Sequence, residues 1–236
     1  VSKFLDEQSI DPLYKKVTGD KFNENEGLRL EFKESVFVSE EKLKEEFDNL
    51  RNTSDTDKKT RIDPAMKFSS YQKQKHNELI LEVVETVCAF LNTKGGELWI
   101  GVTDEGKVVG IEAEKSNHHW SCPPLTFTKF REKYLDYISQ KLEEHFSDVT
   151  SFIDYIDPYI PTKNRSKTLF LIIVKRADRK SFVRIKKGKK EDLIPYRRIG
   201  SRDIPYDGRD GKHDYKTFDI IYHQDSSVLA KSALYS

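Results

Sequence analysis

Cys88-Ala-Phe-Leu-Asn92-Thr-Lys-Gly95-Gly96-Glu-Leu-Trp-Ile-Gly101-Val-Thr-Asp104-Glu-Gly106 holds the end of a helix, its stop, a strand and a turn. Upstream, Gln72 to Leu91 carries Leu79, Val83 and Val87 in one row, with Ile80, Val84, Cys88 and Leu91 beside it. That stripe is broad enough to face a core at helical spacing. Gly95 and Gly96 end the helix, because glycine takes the left-handed backbone that closes a helix without steric penalty. Leu98 to Val102 then reads as a short apolar strand. Asp104, Glu105 and Gly106 make a turn, and Val108 to Ile111 reads as a returning strand.

Working outward, Leu28, Leu30 and Phe32 alternate within Leu28 to Val38, which predicts a strand. Ser39 to Leu50 reads as a helix with Ser39 as N-cap, although Lys42 stands where a capping box wants an acid. Arg51 to Arg61 has the composition of a loop, and Ser116 to Pro124 is a second loop. Phe130, Tyr134, Ile138, Leu142 and Phe146, four residues apart, mark Thr126 to Phe146 as another amphipathic helix. Strands are expected at Val149 to Ile156, Thr168 to Val174, Phe182 to Ile185 and Ile194 to Arg198. Leu169 to Val174 is continuously apolar, as in a strand covered on both faces. Val1 to Asn25 reads as a polar arm or short helix. After Ser201 the chain turns polar and irregular, with Phe218 to Tyr222 as a stretch able to pair or pack. The expected fold class is α/β (mixed α+β), a mixed sheet flanked by two main helices.

The chain has 236 residues, 36% hydrophobic and 34% charged, enough for one large domain or one domain with long insertions. No apolar run approaches the roughly 20 residues that span a membrane. The opening Val1 to Ile10 lacks signal-peptide character, and the absence of an initial Met points to a trimmed chain. Cys88 and Cys122 do not make a disulfide framework, so a soluble cytoplasmic protein is expected. The formal net charge of +1 conceals a segregation of charge. Asp20 to Asp57 holds 12 acidic and 6 basic residues, whereas Lys175 to Arg202 holds 12 basic and 3 acidic. The local field, not the total, therefore decides whether a polyanion binds.

Three motifs in order resemble one family. Glu26-Gly-Leu-Arg-Leu-Glu31-Phe32-Lys33 is similar to the opening acidic motif of Schlafen AlbA_2 domains. Cys88 to Gly106, continued by Val109-Gly110-Ile111, resembles the family's central helix–Gly-Gly–strand signature. Tyr196-Arg197-Arg198-Ile199-Gly200-Ser201 is similar to its closing Tyr-x-Arg-x-Gly-Ser pattern. The resemblance places an AlbA_2-like domain at 26–201, with an insertion at about 39–70, an arm at 1–25 and an extension at 202–236.

In Schlafen nucleases the resemblance implies two glutamates and an aspartate, which map to Glu26, Glu31 and Asp104. These would hold Mg2+ or Mn2+, hard cations that take oxygen ligands and activate water. Lys33 would stabilise the phosphate or hold a glutamate. Arg184, Lys186, Lys187, Arg197, Arg198 and Arg202 would hold nucleic acid, since planar guanidinium donors fit phosphate oxygens in pairs. RNA, structured like transfer RNA, is the favoured substrate and DNA the alternative. A homodimer would supply the second lobe of the Schlafen groove. Two other readings stand beside the endoribonuclease: a non-enzymatic DNA-binding regulatory module, and an interaction subunit of a defence complex.

Other signals carry less. Gly101 to Lys107 imitates a phosphate-binding P-loop, but Val108 stands where Ser or Thr should meet magnesium, and the context is strand–turn–strand. His118, His119 and Cys122 lack a fourth zinc ligand at recognised spacing. Asn92, beside the Gly-Gly turn, is expected to bond backbone groups. Trp99 is expected in the core, while Trp120, Tyr196 and Tyr206 are candidates to stack on bases.

Overall fold

A computed structural model describes residues 16–52, 63, 65–117, 126–146, 154–161, 167–187 and 190–205. Its centre is a four-stranded mixed sheet in the order β3-β4-β6-β5. Strands β3 (Leu30–Lys33) and β4 (Gly96–Ile100) run parallel, with Phe32 opposite Trp99. Strand β6 (Phe170–Val174) is antiparallel to β4 and to β5 (Ile156–Tyr159).

Two long helices cover one face, as the apolar stripes require: α2 (Phe68–Leu91) and α3 (Phe127–His145). Val83, Val84 and Val87 of α2 and Phe130, Tyr134 and Ile138 of α3 pack with Leu98, Ile100, Phe170 and Ile172. Thr126 caps α3, its side chain accepting from the Lys129 amide at 3.4 Å. A shorter helix, α1 (Glu40–Asn52), buries Leu43 and Phe47. Ser39 caps it as expected, accepting from the Lys42 amide at 3.4 Å.

The opposite face is also closed, by residues read from the sequence as an arm. Strands β1 (Val17–Thr18) and β2 (Lys21–Phe22) form a hairpin. Phe22 sets its ring 4.7 Å from Phe32 and 5.0 Å from Trp99. Phe22 anchors the segment with Val17 buried beside it, the Phe22 amide donating to the Gly106 carbonyl at 2.8 Å and Lys16 paired with Glu97 at 3.0 Å, signals that average polarity hides. Strand β6 accordingly has both faces covered: Phe170, Ile172 and Val174 on one side, Leu171 on the other.

Gly95 sits at φ +69°, and a Cβ there would lie 2.5 Å from the Val174 carbonyl oxygen. The Gly-Gly stop therefore serves both a left-handed turn and a close approach to β6. Val108 to Ile111 does not form a strand: Val108 makes one bridge to Val102, and a 3-10 turn follows at Glu112–Ser116. The stretch expected as one strand at Ile194 to Arg198 is two. Strand β8 (Lys190–Ile194) pairs with β7 (Val183–Lys187), and β9 (Tyr196–Ile199) pairs with β10 (Arg202–Pro205). Pro195 separates them because it has no N–H for a ladder. The start of the expected extension is thus a strand of the domain, joined to β9 by the Gly200-Ser201 turn with Gly200 at φ +62°. The loop at Arg51 to Arg61, most of the strand expected from Val149, and Phe218 to Tyr222 lie largely outside the described residues, as do His118, His119, Trp120, Cys122 and Tyr206.

Candidate active site

Strand β3 is an edge strand between two covered faces. Its apolar residues, Leu30 and Phe32, face the hairpin side. Glu31 and Lys33, which alternate with them, must therefore face the helices, where water is scarce. Glu31 is 6% exposed. Its Oε1 receives Lys33 Nζ at 3.1 Å and its Oε2 receives the Arg198 guanidinium.

Arg198 is the centre of this network. Its guanidinium donates through Nε to the Gly27 carbonyl at 2.8 Å, through Nη1 to Asp203 Oδ1 at 2.8 Å and through Nη2 to the Leu30 carbonyl at 3.2 Å. Its plane lies 5.0 Å from the Phe90 ring centroid. Thr86 donates to the other Asp203 oxygen at 2.6 Å. One buried side chain thus joins the segment before β3, strand β3 and hairpin β9–β10. The phosphate role expected of Arg198 is corrected accordingly: its side chain is fully buried and its donors are committed inside the protein.

Above this network opens a groove of about 340 Å3, lined by Glu31, Lys33, Glu82, Glu85, Asp203 and Arg202 among others. Carboxylates outnumber cations there. Glu85 accepts from the Tyr196 hydroxyl at 2.6 Å, so Tyr196 is a buried positioning residue, not a stacking platform. Burial pushes the Glu85 carboxyl above its ordinary range, and the charges of Asp203 and Glu82 add to the shift. Burial alone would lower the Lys33 ammonium, but Glu31, Glu82 and Asp203 together raise it, so it remains a firm cation.

Glu26 and Asp104 reach the same region from the sheet edge. Glu26 Oε1 accepts from the Phe32 amide at 2.8 Å, capping the unpaired side of β3. Its carboxyl is raised by burial first, then by the like charges of Glu31 and Asp104, against the lowering effect of the Phe32 amide and Lys33. Asp104 is exposed in the turn after β4. The three carboxylates expected as a site therefore share one electrostatic neighbourhood.

They do not form a closed metal cage. Among the described residues no three His, Cys, Asp or Glu side chains are gathered closely enough to hold an ion. The donor set nonetheless suits a hard divalent cation, because magnesium is commonly held by one or two carboxylates plus waters and substrate oxygens.

The expected nucleic-acid residues divide. Arg202 is exposed at the groove mouth, and Arg197 is half-buried on β9. Arg184 lies on the separate β7–β8 hairpin, with its carbonyl 2.9 Å from His145 Nδ1. Lys186 and Lys187 continue that strand, their side chains lying outside the described residues. Sequence reasoning missed Glu82, Glu85, Thr86 and Asp203. The first three did leave a trace, a polar row at i, i+3 and i+4 beside the apolar stripe of α2, exposed at Glu82 and buried at Thr86. Asp203 left none. Asn92 behaves as expected, donating at 2.9 Å to the carbonyls of Ser181 and Tyr196 and accepting from the Ser181 amide at 2.8 Å.

The family model described as Schlafen, AlbA_2 matches residues 26–207, beginning at Glu26 and running past Asp203. The chain belongs to the Schlafen AlbA_2 family. An AlbA_2 domain is a nucleic-acid-related domain, and the match takes in every described residue that lines the groove. Among curated proteins none matches. Among solved structures the chain is similar to the DIP2311 protein from Corynebacterium diphtheriae, at 14% identity and a TM-score of 0.43. That likeness covers 83% of this chain and 25% of the other, so the chain spans about a quarter of that protein's length. No helix among the described residues is long and apolar enough to cross a membrane.

Proposed function

We propose that this AlbA_2 domain is a divalent-metal-dependent endoribonuclease acting in the cytoplasm on structured RNA such as transfer RNA. The observation that supports the reading is that the charges of Glu31 and Asp104 both act on the Glu26 carboxyl, beside a groove lined by Glu31, Lys33, Glu82, Glu85 and Asp203 in which carboxylates outnumber cations. Such a groove repels a phosphodiester unless a cation accompanies it, which is the electrostatic condition of metal-assisted cleavage. Bound Mg2+ or Mn2+ would supply charge neutralisation and an activated water. Lys33 stabilises the phosphate and holds Glu31. Burial and the like charges of Glu31 and Asp104 raise the Glu26 carboxyl, so a cation brought in beside it would relieve that repulsion. Arg202 at the groove mouth would support the strand, with Arg184, Lys186, Lys187 and Arg197 as further cationic contacts. A homodimer would provide a second lobe, and light scattering tests that directly.

A second reading has its own support. Both Glu31 oxygens are held by cations, as they would be in a purely structural lock within a DNA- or RNA-binding module. Labelled transfer RNA incubated with Mg2+ or Mn2+ separates the two. Cleavage that is lost in Glu31→Gln and Asp104→Ala, while gel-shift affinity persists, supports the nuclease. Affinity without cleavage in either metal establishes the binding module instead.

A further inference from the structure

A second cavity, of about 440 Å3, opens where α1, α2, α3 and the segment after β3 meet. Its lining inverts that of the acidic groove: Lys73, Lys75 and Lys141 contribute, and among the described residues no Asp or Glu does. Lys75 and Lys141 are partly neutralised from outside, Lys75 by Glu46 at 3.1 Å and Lys141 by Glu144. Lys73 is exposed and has no ion-pair partner among the described residues.

One wall is aromatic. Phe37 stacks on His76 with ring centroids 4.2 Å apart, and Tyr137 lies 5.2 Å from Phe37. The Tyr137 hydroxyl bonds to His76 Nε2, which fixes both half-exposed rings. Side-chain amides of Gln72 and Asn77 complete the polar lining, while that of Asn117 donates to the Val38 carbonyl at 2.8 Å. Gln72 is 8% exposed, and its amide nitrogen is buried with no hydrogen-bond partner. Proteins rarely leave such a donor unsatisfied without a functional reason.

We propose that this cavity binds a nucleotide, with the base against the Tyr137–His76 wall, its edge at the amides, and its phosphate at Lys73. Each feature selects that class. A fixed aromatic wall takes a planar ring, Gln and Asn amides match the donor–acceptor edges of bases, and an unpaired lysine takes a phosphate. The volume falls within the range of small-molecule pockets. A purely apolar ligand would leave the amides and lysine unanswered, and a bare inorganic anion would leave the rings uncovered. The nucleotide is either a free mononucleotide or an unstacked residue of a longer strand. This inference does not rest on cleavage in the acidic groove.

Calorimetry on the intact chain in EDTA, which removes any divalent metal, tests it. The probes are AMP, GMP, CMP and UMP, with adenosine and inorganic phosphate as controls, and a five-nucleotide single strand. At least one mononucleotide or the strand should bind saturably, and more tightly than adenosine or phosphate. Lys73→Glu, at an exposed position, should weaken binding about tenfold by loss of one charge-assisted contact. Asn77→Trp, which fills the rim, should abolish it. Competition between strand and mononucleotide identifies a base within a strand; failure to compete identifies a free nucleotide. If no probe binds, or if affinity is unchanged in both variants, the proposal is overturned. Glu31→Gln should leave this binding intact, so failure of the nuclease reading and failure of this one give different patterns.

Discussion

Replacing Arg198 with Met should destabilise the domain severely, because Arg198 is the buried cation on which Glu31 and Asp203 both depend. Methionine occupies a similar volume but leaves the Arg198-facing oxygen of each carboxylate without its partner, along with the Gly27 and Leu30 carbonyls. Glu31 keeps Lys33, and Asp203 keeps Thr86. The loss is therefore that of one broken buried pair, about 3–5 kcal/mol. Solvent offers little relief, since the side chains of Glu31 and Asp203 are only 8% and 15% exposed. For a chain of this size that corresponds to a fall in Tm of about 6–20 °C. Urea denaturation followed by circular dichroism measures it, with an unchanged slope showing that the denatured state is unaltered. A loss under about 1 kcal/mol would refute the reasoning and return Arg198 to the class of exposed charges. In that case the variant would instead lower the salt dependence of nucleic-acid binding by about one phosphate contact.

Other perturbations test other parts of the fold. Burial raises the Glu114 carboxyl from the ordinary 4.5 to about 8, although the Val36 and Phe37 amides favour its charged form. A raised acid stabilises the fold fully below pH 4.5 and loses that contribution as pH rises through about 8. Glu114→Gln should therefore flatten the pH dependence of stability across this window in melts at successive pH values. Gly95→Ala forces a Cβ onto the Val174 carbonyl at positive φ, and thermal melts should show a loss of about 2 kcal/mol or more. Asn92→Leu strands the Ser181 amide and two carbonyls, which should cost about 2–4 kcal/mol in urea titration. These effects should add, within error, to those at Glu114, because the sites share no partner.

Much of the architecture is legible in local pattern. The stripes of α2 and α3, the Gly95 stop, the apolar run of β6 and the alternation in β3 each report their own burial, because side-chain period follows directly from backbone geometry. Glu26, Glu31 and Asp104 were found through motif likeness, and the fold brings their charges together. The hairpin at Val17 to Phe22 was missed because its docking rests on Val17 and Phe22, averaged away in a polar stretch, and on backbone bonds to the distant turn after β4, which leave no mark in composition. Arg198 was misread for a related reason: a guanidinium in a basic segment has the same sequence signature whether it meets phosphate or Glu31.

Local pattern alone reports most of the helices and strands, the faces they bury and the family the chain resembles. What those faces meet is set by packing. It closed the sheet on both sides, turning the charged alternates Glu31 and Lys33 inward. It brought Glu82, Glu85 and Asp203 from α2 and β10 to the same groove, and it sealed Arg198 beneath. The reason is physical: periodicity encodes a residue's orientation relative to its own backbone, whereas a site is made of distances between segments far apart in the chain, which exist only after packing.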